Sequence, residues 1–317
     1  MEYVGLQQQI TSNNRKSILL LLGFPSILLL GLYIVLIFLS TGNTNEAFLS
    51  ATPYVLGFTG VWFVIAFFGH SRMINYATGA KSLERKENMR VYNLTENLCM
   101  SVGMKMPILR IIESPALNAY ASGLNEKNHT VTLTRGIIDK LDDDELEGVI
   151  AHELMHIRNN DVRLLIISIV FVGIFSVIFQ SVIRGILHGG GRRNSRKKDG
   201  KGGFIITLVI LLVSLAMYLL SIFFKFSISR KREYLADAGA AEMTKNPLGL
   251  ANALRKISGN SSLDNLKNND VKQMFIDNGP GKRTPIFISE LKLIKWIAGI
   301  FATHPPIKKR IAILEQF

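Results

Sequence analysis

His152-Glu153-Leu154-Met155-His156 is the stretch on which the reading of this chain turns. Two histidines four apart, with a glutamate after the first, form the HExxH pattern. On a helix, His152 and His156 lie one turn apart on one face, so both imidazoles reach one metal ion. Glu153 then lies within reach of a water held by that metal. A catalytic zinc takes three protein ligands and keeps one position open. Five residues therefore supply two ligands and a general base, which points to hydrolysis rather than to a structural metal site. With 6 histidines in 317 residues, a chance match arises in roughly half a percent of such chains.

The flanks predict a helix around the motif. Asp142, with Glu145 three residues later, fits a capping box. Leu146, Val149, Ile150, Leu154 and Ile157 follow at helical spacing, so an amphipathic helix is expected. Downstream, the run Arg230-Lys231-Arg232-Glu233-Tyr234-Leu235-Ala236-Asp237 places two acids four apart on one helical face. Glu233 offers a third metal ligand, and Asp237 a carboxylate to orient a zinc-bound histidine. Alone, this run would read as an ordinary acidic pair in a basic helix; beside HExxH it reads as part of a site. The single cysteine, Cys99, excludes an intrachain disulfide and a thiolate cluster for zinc. It reads as a small, partly buried apolar residue.

Hydropathy moves the site to a membrane. The chain is 48% hydrophobic, its mean hydropathy is +0.25, and the apolar residues are clustered. After an N-terminal tail (1–17), transmembrane helices are expected at 18–40 and 53–69. Two further apolar segments follow at 163–187 and 204–226, separated by a basic connector at 188–203. Each segment approaches or exceeds the roughly 20 residues needed to cross a bilayer. The polar remainder divides into a first half of a peptidase domain, 71–162, and a second half, 227–317. The first apolar run is long and is followed by no small-residue cleavage signal, so it reads as a retained anchor.

Charge sets the orientation. The loop 41–52 contains no Lys or Arg, whereas Arg72, Lys81, Arg85, Lys86 and Arg90 follow the second span. By the positive-inside tendency, the N-terminus and the peptidase domain face the cytoplasm. His152, His156 and Glu233 share one metal, so the chain between them crosses the bilayer twice or not at all. Two crossings place Arg192, Arg193, Arg196, Lys197, Lys198 and Lys201 outside, against that tendency. The connector then reads either as an unusually basic outer loop, or as a segment held to anionic lipid by about 1 kcal/mol per basic residue, or as a solvated linker. Segment length favours two crossings. The net charge of +13 also admits nucleic acid as a partner, but no binding motif accompanies it, and none is expected.

Several stretches together resemble a family. They are Asn118-Ala119-Tyr120-Ala121-Ser122-Gly123, the run Thr130 to Gly136, His152 to His156, Arg230 to Asp237, and Thr303-His304-Pro305-Pro306 followed by Arg310. In this order the chain resembles the HtpX-type integral-membrane zinc metallopeptidases, relatives of the CAAX prenyl endopeptidases. The resemblance implies a mainly α fold with a small β-sheet: integral-membrane helices plus a zincin-like (gluzincin) metallopeptidase domain. It implies one zinc ion per chain on His152, His156 and Glu233, with Glu153 catalytic. It implies endoproteolysis of misfolded or damaged membrane proteins in the bacterial cytoplasmic (inner) membrane, as part of a stress response. The partners would be unfolded or membrane polypeptides and the lipid bilayer. A CAAX-type prenyl peptidase would have more spans than the four found here. A catalytically silent membrane scaffold that keeps the zinc fold is a third reading, against which Glu153 speaks.

Other residues take supporting readings. Ala116 to Ser122 and His129 to Thr134 are expected as strands joined by a turn at Gly123, Asn125 and Asn128. Thr130, Thr132 and Thr134 alternate with Val131 and Leu133, a half-buried pattern. The resemblance puts Asn118 and Ala119 on an edge strand that holds substrate by β-addition; a plain structural hairpin is the other reading. His304, before two prolines, is either a donor to the oxyanion or a turn residue. Arg310 is expected to pair with Asp237. His129 reads as exposed, and His70 and His188 as interfacial. Residues 258–285 read as a loop, and 286–301 as an amphipathic stretch that grazes the membrane. If both later segments span, a cysteine at Ser195 will be labelled from outside intact cells by an impermeant maleimide. Labelling only after lysis would place the connector inside.

Overall fold

The computed structural model describes residues 6–40, 42–188, 200–226, 231–258, 276 and 305–317. The expected loop at 258–285, apart from Ser258 and Ile276, and the amphipathic stretch at 286–301 lie outside these residues, as does most of the basic connector. The chain is mainly helical, with one small mixed sheet. It falls into two compact units: Met1–Asn14, Gly69–Ile166 and Ile228–Phe317 form one, and Arg15–Phe68 with Ile167–Ser227 the other.

The first unit is built around α5 (Asp143–Arg158), which carries His152, Glu153 and His156. The helix starts at a capping box: the Asp142 side chain accepts from the Glu145 N–H at 2.9 Å, and Glu145 accepts from the Asp142 N–H at 3.0 Å. Such a cap stabilises a helix start by about 0.5–2 kcal/mol. An amphipathic helix is what the apolar spacing predicts, but α5 is buried on nearly every side. Leu146, Val149, Ile150, Ala151 and Leu154 are inaccessible to solvent. The reason is that α5 is central. It packs against α3 (Met89–Ser101) and β3 (Ala119–Ser122), and also against α8 (Lys231–Thr244) and α9 (Pro247–Ile257). Arg90 on α3 donates to Ile138 O at 2.9 Å and Leu141 O at 2.8 Å and also pairs with Asp143. It thereby joins α3 to α4 (Arg135–Lys140) and to the start of α5.

The sheet runs β1-β2-β4-β3, with β1 at Lys81–Ser82, β2 at Ile108–Ile112 and β4 at Thr130–Thr134. β2 and β4 are parallel, while β3 and β4 form an antiparallel hairpin with Ala119 opposite Leu133 and Ser122 opposite Thr130. Gly123 opens the turn at φ +110°, where a Cβ would strike the Asn128 carbonyl. Asn128 Oδ1 closes it by accepting from the N–H groups of Leu124 and Asn125. β4 is not half-buried: all five residues are buried. It is an interior strand, and two of its threonines find partners inside. Thr130 pairs with Ser122, and Thr134 Oγ1 donates to Ala116 O at 2.6 Å. His129, at the strand's entry, is partly buried rather than exposed, and burial lowers its pKa. His70 is buried and bonds Ser71.

The second unit consists of long apolar helices: most of α1 (Leu6–Leu39) and α2 (Thr44–Thr78), α6 (Asp161–His188) after its first turns, and α7 (Gly200–Phe226). Phe24 stacks on Phe171 at 4.3 Å and meets Phe175 edge-on at 4.9 Å. Gly31 lets Met217 and Val213 approach. Many other apolar side chains are exposed, Phe68 and Leu22 among them, which suits lipid rather than water as the surrounding medium. Three described helical stretches are long and apolar enough to cross a membrane: Thr11–Leu39, Thr44–Ile65 and Asp161–Ile186. In α7 the described apolar stretch is the shorter Thr207–Leu220.

Helix boundaries differ from those read in the sequence. α1 starts at Leu6, within the expected tail, because no glycine or proline interrupts it before Gly23. α2 starts at Thr44, ahead of Pro53, because the Asn43 side chain caps it through the Asn45 N–H at 3.1 Å. The close approach of α5 and α9 gives a test. A Cβ on Gly148 would lie 2.7 Å from Leu250 N and 2.9 Å from its Cα. Gly148→Ala is expected to destabilise the fold by about 1–3 kcal/mol, seen as a lower Tm in detergent. An unchanged Tm would mean that α9 yields freely.

Candidate metal centre

α5 and α8 bring three ligand atoms together. His152, His156 and Glu233 each offer one, and all lie within 4.8 Å of one another. The two Nε2 atoms are 3.1 Å apart. Glu233 Oε2 is 3.7 Å from His152 Nε2, and its Oε1 is 3.6 Å from His156 Nε2. Glu153, next to His152 on α5, is also buried.

Each imidazole is held from behind. His152 Nδ1 lies 3.0 Å from Asp237 Oδ1, and His156 Nδ1 lies 3.1 Å from Asp161 Oδ2. A carboxylate accepts from Nδ1–H, which leaves Nε2 as the bare nitrogen. Two such lone pairs facing each other at 3.1 Å repel unless a proton or a metal ion lies between them. Zinc–nitrogen bonds of about 2.0–2.1 Å would set two tetrahedral ligand atoms roughly 3.3–3.4 Å apart. The residues present therefore fit a zinc ion.

Asp237, one helical turn beyond Glu233 on α8, is gripped by Arg310 of α10 (Ile307–Leu314). Arg310 Nε donates to Oδ2 at 2.9 Å and Nη2 to Oδ1 at 2.7 Å, while Nη1 lies 3.4 Å from Glu233 Oε2. The guanidinium is wholly buried. Burial opposes its charge, but Asp237, Glu233 and Glu153 hold its pKa above the ordinary arginine value. Burial would raise the Asp237 pKa; Arg310 and His152 hold it low instead. Burial and the Arg310 charge push His152 down to about 4. Burial also opposes a charge on His156, yet the Asp161 hydrogen bond and the charges of Glu233, Asp161 and Glu153 lift it to about 9.

The sequence reading overlooked three residues here. Asp161, at the start of α6, bonds His156; Arg232 Nε lies 3.4 Å from Asp161 Oδ1; and Asn13 Nδ2 donates to the same oxygen at 2.8 Å. The available signal was Asn159-Asn160-Asp161, a polar break just after HExxH and before an apolar run, which reads simply as a helix boundary. Asn118 and Ala119 lie at the start of β3, not in the metal cluster. Asn118 N–H donates to Thr134 Oγ1 at 3.0 Å and Asn118 O accepts from the Thr134 N–H at 3.0 Å, while Ala119 O accepts from Ile276 N–H at 2.9 Å. His304 lies outside the described residues.

Residues 85–317 match the model of Peptidase family M48. The chain is 52% identical to a "Protease HtpX homolog" of Bacteroides fragilis, over all of both chains. It is 37% identical to a "Protease HtpX homolog" of Listeria monocytogenes, over 98% of this chain and 99% of that one. Among solved structures, the crystal structure of S. mikatae Ste24p aligns with 97% of this chain and 66% of its own, at TM-score 0.48 and 20% identity.

The Arg310 contacts generate a prediction. Arg310→Met leaves Asp237 and Glu233 buried without their cation, and breaking a buried pair on one side costs about 3–5 kcal/mol. The variant is expected to unfold at markedly lower temperature than wild type in the same detergent. An equal Tm would show that the guanidinium is dispensable to the fold.

Proposed function

The chain belongs to peptidase family M48 and is a membrane metallopeptidase; from that premise we propose a zinc-dependent endopeptidase of the bacterial cytoplasmic membrane. Its peptidase domain comprises residues 71–162 and 227–317, on the cytoplasmic side. Its substrates are misfolded or damaged membrane proteins and unfolded polypeptides, cut in a stress response. The observation that carries the reading is the pair of Nε2 atoms turned on each other at 3.1 Å by two carboxylates, with Glu233 closing the third side.

In this reading His152, His156 and Glu233 hold one zinc ion, which when bound lowers the pKa of a water and polarises the scissile carbonyl. Glu153 accepts the proton of the attacking water and passes it to the leaving amine. Asp237 and Asp161 keep both imidazoles in the ligating tautomer, and Arg310 fixes Asp237. The substrate backbone docks beside Asn118 and Ala119 on β3, where Ala119 O now takes the Ile276 N–H. His304 is assigned as the further donor to the oxyanion.

Glu153→Gln keeps size and hydrogen bonding but removes the base. It is expected to retain one zinc per chain and to lose about 10²–10⁴ in the rate of cleavage of an unfolded membrane substrate. Equal cleavage by both forms would overturn the mechanism.

A further inference from the structure

Asn13 lies far outside the matched family region, near the start of α1, yet it is 2% exposed and both of its amide protons are committed. Nδ2 donates to Asn159 O and to Asp161 Oδ1, both at 2.8 Å. Asn159 is the C-cap residue of α5, and Asp161 begins α6 after Asn160, which sits at φ +58°. One side chain thus ties the terminal carbonyl of the HExxH helix to the carboxylate behind His156. Asp161 spends its other oxygen on His156 Nδ1. Arg232 approaches Asp161 Oδ1 at 3.4 Å and supplies charge, while Asn13 supplies the short, directed bond.

We propose that Asn13 is a positioning residue of the metal centre, acting through Asp161 to aim His156 Nε2 at the ion. The N-terminal segment, outside the family region at 85–317, then completes the site. A carboxylate with two free rotamers would aim His156 loosely; a carboxylate pinned through Oδ1 presents Oδ2 in one direction. This rests on the proposed zinc reading of His152, His156 and Glu233.

The test uses the full chain in detergent, with zinc affinity from competition against a chromophoric chelator and the visible spectrum of the cobalt-loaded form. Loss of such a supporting partner typically weakens metal binding about 10–100-fold. Asn13→Leu is expected to weaken zinc binding about 10-fold and to shift the cobalt bands. Asp161→Asn is expected to do the same, and the double variant to be no weaker than Asp161→Asn alone, because both act on one path. Asn14→Leu, which removes only the 3.5 Å contact from Asn160 Nδ2 to Asn14 Oδ1, is expected to bind zinc as wild type does. Should Asn13→Leu fail to accumulate, Asn13→Ser replaces it and is expected to weaken binding by a smaller factor. Unchanged affinity and spectrum in the Asn13 variant, additive losses in the double variant, or an equal loss in Asn14→Leu would each overturn the proposal. Wild-type protein that binds no zinc would instead sink the underlying zinc reading.

Discussion

Two buried carboxylates, each holding one imidazole from behind, are the constraint on which the peptidase unit depends. Asp237 and Asp161 commit both Nδ1 atoms, so the two Nε2 atoms are turned towards each other, 3.1 Å apart. This arrangement is costly without a cation. At the site, Glu153, Asp161, Glu233 and Asp237 are all buried, and Arg232 and Arg310 are the buried guanidiniums that face them. Four negative charges against two positive leave a deficit of two, the charge of one divalent ion. Burial opposes a charge on His156, but the Asp161 hydrogen bond and the charges of Glu233, Asp161 and Glu153 lift it to about 9, while burial and the Arg310 charge lower His152.

The surrounding fold can be read as what it takes to keep those groups dry and still. α5 is enclosed by α3, β3, α8 and α9, so His152 is fully buried and His156 only partly exposed. α10 contributes Arg310 from the far end of the chain, and Gly148 allows α9 to approach close enough to seal α5. Ligands on two helices distant in sequence are held by residues from further segments still, so the geometry is a property of the whole unit rather than of the motif.

How much of this was legible follows from the range of each interaction. The capping box and the pairing of His152 with His156 are local, set by helical periodicity, and visible in any window of the sequence. Glu233 and Asp237 were legible as an i,i+4 pair because both belong to one helix. The hairpin was legible from alternation and its turn residues, but the burial of Thr130, Thr132 and Thr134 was not, since it comes from β2 lying on the other side of β4. Asp161 and Asn13 were illegible for a deeper reason. A hydrogen bond spanning 148 residues leaves no periodic trace, and a polar break between helices looks the same whether it caps a helix or serves a site.

That long bond also bears on topology. Asn13 and Asp161 touch, so the start of α1 and the end of α5 lie on one side of any membrane the chain crosses. α1 and α2 intervene, and both have the length and hydropathy to cross, so they cross together or not at all. The same reasoning applies between His156 and Glu233, which bracket α6 and α7 while sharing one cluster. Two independent contacts therefore impose the same parity on the two helical hairpins. The first follows from a hydrogen bond and the second from a cluster of side chains able to hold a metal, and neither uses charge counts in the loops.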